Sequence, residues 1–358
     1  LRRDFHKHPE VSMQEFRTAK RIEEELDSLG IPHRRVGETG VLGVIGREKK
    51  GKTVVLRADI DALRIQDKKQ VPYASACEGV MHACGHDFHI IAGIGCAILA
   101  QEQRERLKGD VKIIFQPGEE TSLGALKILE TDVMDDVEKI WGIHADPTNQ
   151  VGVLGISGGY VTAAVDRFVI ELRGVGCHGA HPDDGADPVP AAAAMVQALQ
   201  TIVTRNVNPF HPALISVTRI QAGNTWNVIP ETAELEGTVR TMDKEDRALF
   251  ERRIREIARH TAAAFGINAS VRWIAGSPAT YNDGEMADYA VKTAEEYGFC
   301  VVPEESSLGG DDFSFFEEKI PGCYLKIGTG KGQTIHQPGF RVDRSVILPA
   351  AEYLCVLL

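Results

Sequence analysis

Between Thr53 and Ile143, apolar runs of strand length alternate with helical segments, and this restricts the architecture more than any other feature of the chain. Thr53 to Asp59, Val111 to Phe115 and Val137 to Ile143 read as strands. Asp87 to Gln101 and Leu123 to Glu130 read as helices, the first apolar on most faces and therefore buried. Parallel strands need such crossovers, so the pattern predicts an α/β fold: a mixed, largely parallel sheet with helices on both faces. In sheets of this kind, ligands collect beyond the carboxyl ends of the strands. Asp59 and Asp61, Glu119 and Glu120, and His144 each follow an apolar strand, so one rim of one sheet is expected to carry them all.

Upstream, Ser12 and Glu15 have the spacing of a capping box. Phe16, Ala19, Ile22, Leu26 and Leu29 then recur at helical spacing until Gly30 ends the run. Gly40 to Ile45 is a further strand, joined to Thr53–Asp59 by a lysine- and glycine-rich turn. The middle third changes rhythm. Strands are expected at Phe168 to Arg173, Leu214 to Ile220, Ala233 to Thr241 and Ala269 to Ile274, with helices at Pro190 to Val203 and Lys244 to Phe265. That β-α-β-β-α-β order describes an inserted α+β, ferredoxin-like unit over 165–275, between catalytic segments 1–164 and 276–358.

At 358 residues, two domains are expected. No apolar run approaches the roughly 20 residues of a membrane helix, and no basic stretch precedes an apolar signal core, so no membrane partner is expected. The net charge of −11 is spread along the chain and repels phosphate backbones, which argues against a nucleic-acid partner. Seven cysteines without CxxC pairs argue against a disulfide framework and for the cytosol.

Four stretches can carry chemistry. In Met81-His82-Ala83-Cys84-Gly85-His86-Asp87, Cys84 and His86 can face one centre, and thiolate and imidazole are good ligands for zinc and its neighbours. A buried thiol beside a capping histidine fits the same residues. After the strand ending at Phe115, the adjacent Glu119 and Glu120 cannot both face one way, so they suit different tasks: one to bind metal, one to handle a proton. A solvated acidic turn is the plainer reading. His144 and His336 are each unremarkable alone. Several such groups converging from consecutive strand ends is how catalytic metal sites are assembled.

The chain resembles the zinc-dependent aminoacylase/carboxypeptidase family (peptidase family M twenty, clan MH), and most of all its hippurate and indole-acetyl-amino-acid hydrolase branch. The resemblance is carried by LRADIDAL (56–63), MHACGHD (81–87), QPGEE (116–120), GIH (142–144), RGVGCHGAHP (173–182), AGNTWNVIP (222–230), GTVRT (237–241), DDFSFF (311–316) and HQPGF (336–340), in family order along almost the whole chain. It implies two divalent metal ions per subunit: zinc or manganese first, cobalt or nickel next. Cys84 would bridge them, with His86 and His144 on one and Glu120 and His336 on the other. It implies Glu119 as general base, and Asp59 and Asp61 behind the ligands. The inserted unit would be a lid that makes a homodimer contact, with His178 steadying the oxyanion in the partner's site. Asn224, Asn227 and Arg240 would lie around the substrate carboxylate. Read locally, Arg240 also fits a pairing with a strand carboxylate, Asn227 a cap on Val228-Ile229, and His178 an exposed loop.

The implied activity is hydrolysis of the amide bond of an N-acyl amino acid or a related small amide. A dipeptidase, an N-acetyl-diamino-acid deacetylase, and a metal-bound but catalytically silent binding protein are the alternatives. Asp183 replaces a usual histidine, Cys177 a usual glycine, and Gly310-Asp311-Asp312 a usual Ser-Glu-Asp. These departures are expected near the substrate, where they bear on specificity. Cys77, Cys96, Cys177, Cys300, Cys323 and Cys355 are given no role.

Overall fold

The computed structural model describes residues 1–46, 51–332 and 334–358. Its contacts divide the chain into two compact units. The first comprises Leu1–Val161, Thr280–Glu305 and Asp311–Leu358; the second comprises Thr162–Ala279 and Ser306–Gly310. The second is thus wider than the 165–275 segment that periodicity suggests.

The first unit opens with helices α1 (Arg2–Lys7) and α2 (Phe16–Ser28), strands β1 (His33–Val36), β2 (Gly40–Ile45) and β3 (Thr53–Asp59), and the buried helix α3 (His86–Glu102). The lysine- and glycine-rich turn between β2 and β3 falls largely on residues 47–50, outside the described residues. Strand β4 (Val111–Gln116), helix α4 (Gly124–Leu129), strands β5 (Val137–Asp146), β6 (Val153–Gly155) and β7 (Gly159–Thr162) follow. Strand β5 runs three residues beyond Ile143, so His144 lies inside the strand instead of after it. The extension is held by pairing with a later strand.

The expected capping box does not form. Glu15 is the N-cap of α2 but makes no side-chain cap bond, and Ser12 Oγ donates to Asp61 Oδ2 at 2.6 Å instead. The buried Glu15 carboxylate accepts from Met13 N (2.8 Å), Gly118 N (2.9 Å) and Thr39 Oγ1 (2.7 Å). One local amide and two distant donors satisfy both oxygens better than a single cap bond could.

The second unit holds β8 (Ala164–Arg173), β9 (Cys177–His178), helix α5 (Pro188–Arg205), β10 (Ala213–Ala222), β11 (Val228–Ile229), β12 (Thr232–Thr241), helix α6 (Lys244–Ala264) and β13 (Asn268–Ala275). Its four-stranded antiparallel sheet has the order β10-β12-β8-β13. Burial alternates along β12, as a half-covered sheet requires: Leu235 and Val239 point into a core with Phe168, Met195, Leu199, Phe250 and Ile254. Asp187 and Asp243 cap α5 and α6 through the amides of Val189, Glu245 and Asp246.

The chain returns to the first unit with β14 (Thr280–Asn282), α7 (Gly284–Glu296), β15 (Cys300–Val302), α8 (Ser314–Glu317), β16 (Gly322–Gly328) and α9 (Ile347–Leu357). The main sheet has the order β1-β2-β4-β3-β5-β16-β6-β15. Neighbours β4, β3, β5 and β16 are parallel, and the outer β1/β2 and β2/β4 pairs are antiparallel. One core cluster packs α2, α3, α7 and α9 on this sheet, and a separate cluster packs α4 and α8. No described helix is long and apolar enough to cross a membrane.

Candidate metal centre

Strands β4, β3 and β5 are consecutive in the sheet, and Asp59 pairs with Gln116, so their carboxyl ends lie side by side. Beyond β4 the chain must turn at once. Gly118 does so at φ +63°, and a Cβ there would meet Met13 Sδ at 2.6 Å. A single 3-10 turn over Glu119–Thr121 follows, closed by Ser122 at φ +55°. Among the described residues the non-glycine residues at positive φ are Met13, Ser122 and His336, and all three flank this rim. Such strained positions gather where surrounding structure over-determines a site.

The loop before α3 arrives from the other side. Leu63 and Met81 pair through two backbone bonds (3.1 and 3.0 Å), and Gly85 enters the helix at φ +98°, where a Cβ would meet the Cβ of Ala145 at 2.8 Å. His86 Nδ1 lies 3.0 Å from the Asp61 carbonyl oxygen and 3.2 Å from Asp61 Oδ1. Nδ1 therefore carries the proton, and the Nε2 lone pair is left facing inward. His86 Nε2 is buried without a hydrogen-bond partner, 3.9 Å from both Glu119 Oε2 and Glu120 Oε1. His144 Nδ1 likewise donates to a carbonyl, that of Ala145 (2.8 Å), and its Nε2 stands 3.2 Å from Cys84 Sγ. His336, fixed by its amide on the Ala83 carbonyl (2.8 Å), places Nε2 3.3 Å from the same sulfur and 3.8 Å from Glu120 Oε1.

Two donor triplets result, Cys84/His86/His144 and Cys84/Glu120/His336, with their ligand atoms within 4.8 Å of one another. Cys84 is common to both. Glu119 and Glu120 join His86 in a third such group, and Asp59, His86 and His89 form a fourth. Glu120 Oε1, like His86 Nε2, is buried without a partner. Burial pushes the Glu120 carboxyl up to about 7 and the Cys84 thiol well up, and it drives His144 down to about 3. Crowded thiol, carboxylate and imidazole lone pairs with unspent acceptors fit divalent cations.

Beneath the rim lies Arg57, wholly buried. Its Nε donates to Gln116 Oε1 (2.8 Å), Nη1 to Asp59 Oδ2 (2.5 Å), and Nη2 to Asp312 Oδ1 (2.8 Å) and Asp311 Oδ1 (3.1 Å). Tyr324 Oη donates to Asp311 Oδ2 at 2.6 Å. Asp311 and Asp312 are thus internal anchors of a buried network. Of the residues that sequence reasoning singled out, the structure brings Asp59, Asp61, Cys84, His86, Glu119, Glu120, His144 and His336 to one rim. Sequence reasoning missed Arg57 and His89 and gave Glu15 a different task, that of a helix cap; of the two missed, Arg57 alone had a signal, as an arginine inside an apolar strand.

The remaining candidates belong to the second unit. His178 is exposed on β9, paired with Val228 of β11, and its Nδ1 accepts from Ala180 N at 3.0 Å. Asn224 is exposed; Asn227 accepts from Gly179 N through its carbonyl (2.8 Å) and from Thr225 Oγ1 through its side chain (3.3 Å). Arg240 bonds Thr238 Oγ1 and the Val239 carbonyl, whereas the nearby Asp166 is taken by Arg247 at 2.7 and 2.8 Å.

Comparison with known proteins gives a consistent picture. The model of Peptidase family M20/M25/M40 matches residues 55–358. N-acetylcysteine deacetylase of Bacillus subtilis is 42% identical over 362 residues, covering 100% of this chain and 94% of that protein. Thermostable carboxypeptidase 2 of Saccharolobus solfataricus is 36% identical over 357 residues, covering 97% and 91%. A crystal structure from Bacillus subtilis, described as a dinuclear metal binding peptidase of the M20 family, superposes with a TM-score of 0.90 at 40% identity, covering 99% of this chain and 95% of that one.

Proposed function

The chain belongs to Peptidase family M20/M25/M40 and is a metal-dependent amidohydrolase, and we propose that it hydrolyses the amide bond of N-acyl amino acids with Glu119 as general base. The observation that carries this reading is the spare carboxylate: Glu119 lies beside two donor triplets that share Cys84, yet belongs to neither. A protein that only bound a ligand would have no use for it.

In this reading Cys84, His86, Glu120, His144 and His336 hold two divalent ions, zinc or manganese, the thiolate favouring the softer. Such ions supply Lewis acidity and a water whose pKa falls toward ~7. Glu119 removes a proton from the attacking water and delivers it to the leaving amine, so that amide and water become carboxylic acid and amine. Asp61 fixes the His86 tautomer and, through Oδ2, the backbone amide of Glu120 at 3.1 Å. Asn224, Asn227 and Arg240 are assigned to the substrate carboxylate, Arg240 by its planar fork. The second unit is assigned as lid and homodimer contact, with His178 donating to the tetrahedral oxyanion in the partner's site. Seven cysteines, all free, fit a cytosolic protein.

The deciding experiment is turnover of a panel of N-acetyl and N-benzoyl amino acids, N-acetylcysteine among them, against dipeptides, by metal-reconstituted protein with a chelator control. Hydrolysis of acyl amino acids that the chelator abolishes is the expected result. Cleavage of dipeptides alone, the reading favoured by the carboxypeptidase relative, would reassign the substrate class; no turnover on any arm would sink the proposal. Cys84→Ala should in addition lower bound metal per chain in elemental analysis, because one sulfur serves both triplets. Unchanged stoichiometry would remove Cys84 from the ligands.

A further inference from the structure

His89 stands one helical turn beyond Gly85 on α3, fully buried, its ring stacked on that of His86 with centroids 5.2 Å apart and planes at 28°. Its position beside Asp59 and His86 makes it look like one more ligand. The hydrogen bonds exclude that. The backbone amide of Ala145 lies 2.8 Å from His89 Nε2, and an amide N–H can only donate. Nε2 therefore accepts, the single ring proton sits on Nδ1, and Asp59 Oδ1 accepts it there. Both nitrogens are spent, so His89 has no lone pair to offer an ion.

What His89 touches gives its task. Asp59 is gripped on its other oxygen by Arg57. The amide that His89 holds belongs to the peptide joining His144 to Ala145, and the carbonyl of Ala145 in turn fixes Nδ1 of His144. A continuous line of bonds runs from Arg57 through Asp59 and His89 to the backbone of β5, ending at the His144 ring. We propose that His89 is a positioning residue that locks the His144–Ala145 peptide and Asp59, so that the Nε2 lone pairs of His86 and His144 converge with Cys84 Sγ. The inference rests on the metal-centre reading above.

Cobalt(II) titration of chelator-stripped protein, read by the visible absorption of the bound ion and by chelator competition, tests it without recourse to activity. Wild type should take up two ions. His89→Leu should weaken the binding of one of them by roughly 10–100-fold, the usual cost of losing a group that orients a ligand. His89→Gln, whose side-chain oxygen can still accept from Ala145 N, should recover part of that loss. Should His89→Leu fail to fold, His89→Gln and His89→Asn decide. Asn keeps only the donor to Asp59, so weaker binding in Asn than in Gln supports the proposal. Wild-type cobalt affinity in the variants would overturn it, with or without a lowered melting temperature, and would make His89 a packing residue. A wild type that takes up no cobalt would overturn the metal-centre reading as well, whereas a wild type binding two ions beside unaffected variants would overturn this inference alone.

Discussion

Glu119→Gln is expected to keep its full complement of metal and lose hydrolysis by about 10²-fold or more, the usual range for a general base. The substitution preserves shape and removes only the ability to take a proton. Glu119 is 8% exposed, and its carboxyl is held well above the ordinary range, first by burial and then by the charges of Asp311, Glu120 and Asp312. A carboxylate in that setting is a stronger base than one in water. Because Glu119 lies outside both Cys84 triplets, elemental analysis of the variant should match wild type. A variant that turned over substrate at the wild-type rate would remove Glu119 from the chemistry; one that lost metal would make it a ligand.

Arg57→Met should have the largest effect on stability, about 3–5 kcal/mol at neutral pH, by urea unfolding. Arg57 is wholly buried, and three carboxylates, those of Asp59, Asp311 and Asp312, bond to its guanidinium. Methionine fills much of the volume but leaves three buried acids without their cation. The sign of the pH dependence follows. Burial works to raise the Asp59 carboxyl, yet the Arg57 charge and the neighbouring histidines hold it well below the ordinary value. Its stabilising share is present above the unfolded-state pKa and fades as pH falls through the folded one. Without Arg57 that depression is lost, the acid can take a proton at higher pH, and the gap between variant and wild type should narrow as pH is lowered. A difference within about 0.5 kcal/mol, the range of an ordinary surface substitution, would show the network to be dispensable.

The long strands and helices between Phe16 and Ile274 were legible to within a few residues because each carries its own period, whereas short elements such as β1, β6 and β7, and the individual elements beyond Ser277, were not placed. Glu119, Glu120 and His144 stood out because they come at or near the end of an apolar run, and Cys84 and His86 because a thiol and an imidazole lie one residue apart at the start of a buried helix; the joining of these with His336 into one ligand set came from the family resemblance. The tasks of Arg57, Glu15 and His89 were not legible. Each is a polar residue whose meaning lies in a partner far along the chain: Asp312, 255 residues from Arg57, or Gly118, 103 residues from Glu15. Local spacing even misled, since S-x-x-E over Ser12–Glu15 satisfies the capping pattern while the tertiary fold gives both side chains better bonds elsewhere. The anchoring role of Asp311 and Asp312 was hidden for the same reason: a pair of acids gives no sign in sequence of a buried cation beside them.

His336 joins Cys84 across a sequence separation of 252 residues, and the whole second unit is threaded between them. A chain emerging from the ribosome therefore holds Cys84, His86, Glu120 and His144 long before the last donor appears, and a truncated fragment would own one triplet but not the other. With the ligands proposed above, the second ion can bind only after synthesis has passed His336. An ion that binds only the folded form with both triplets in place would hold it against unfolding by about 2.7 kcal/mol at a hundredfold excess over Kd, so that the metal itself selects chains in which the two distant segments have met.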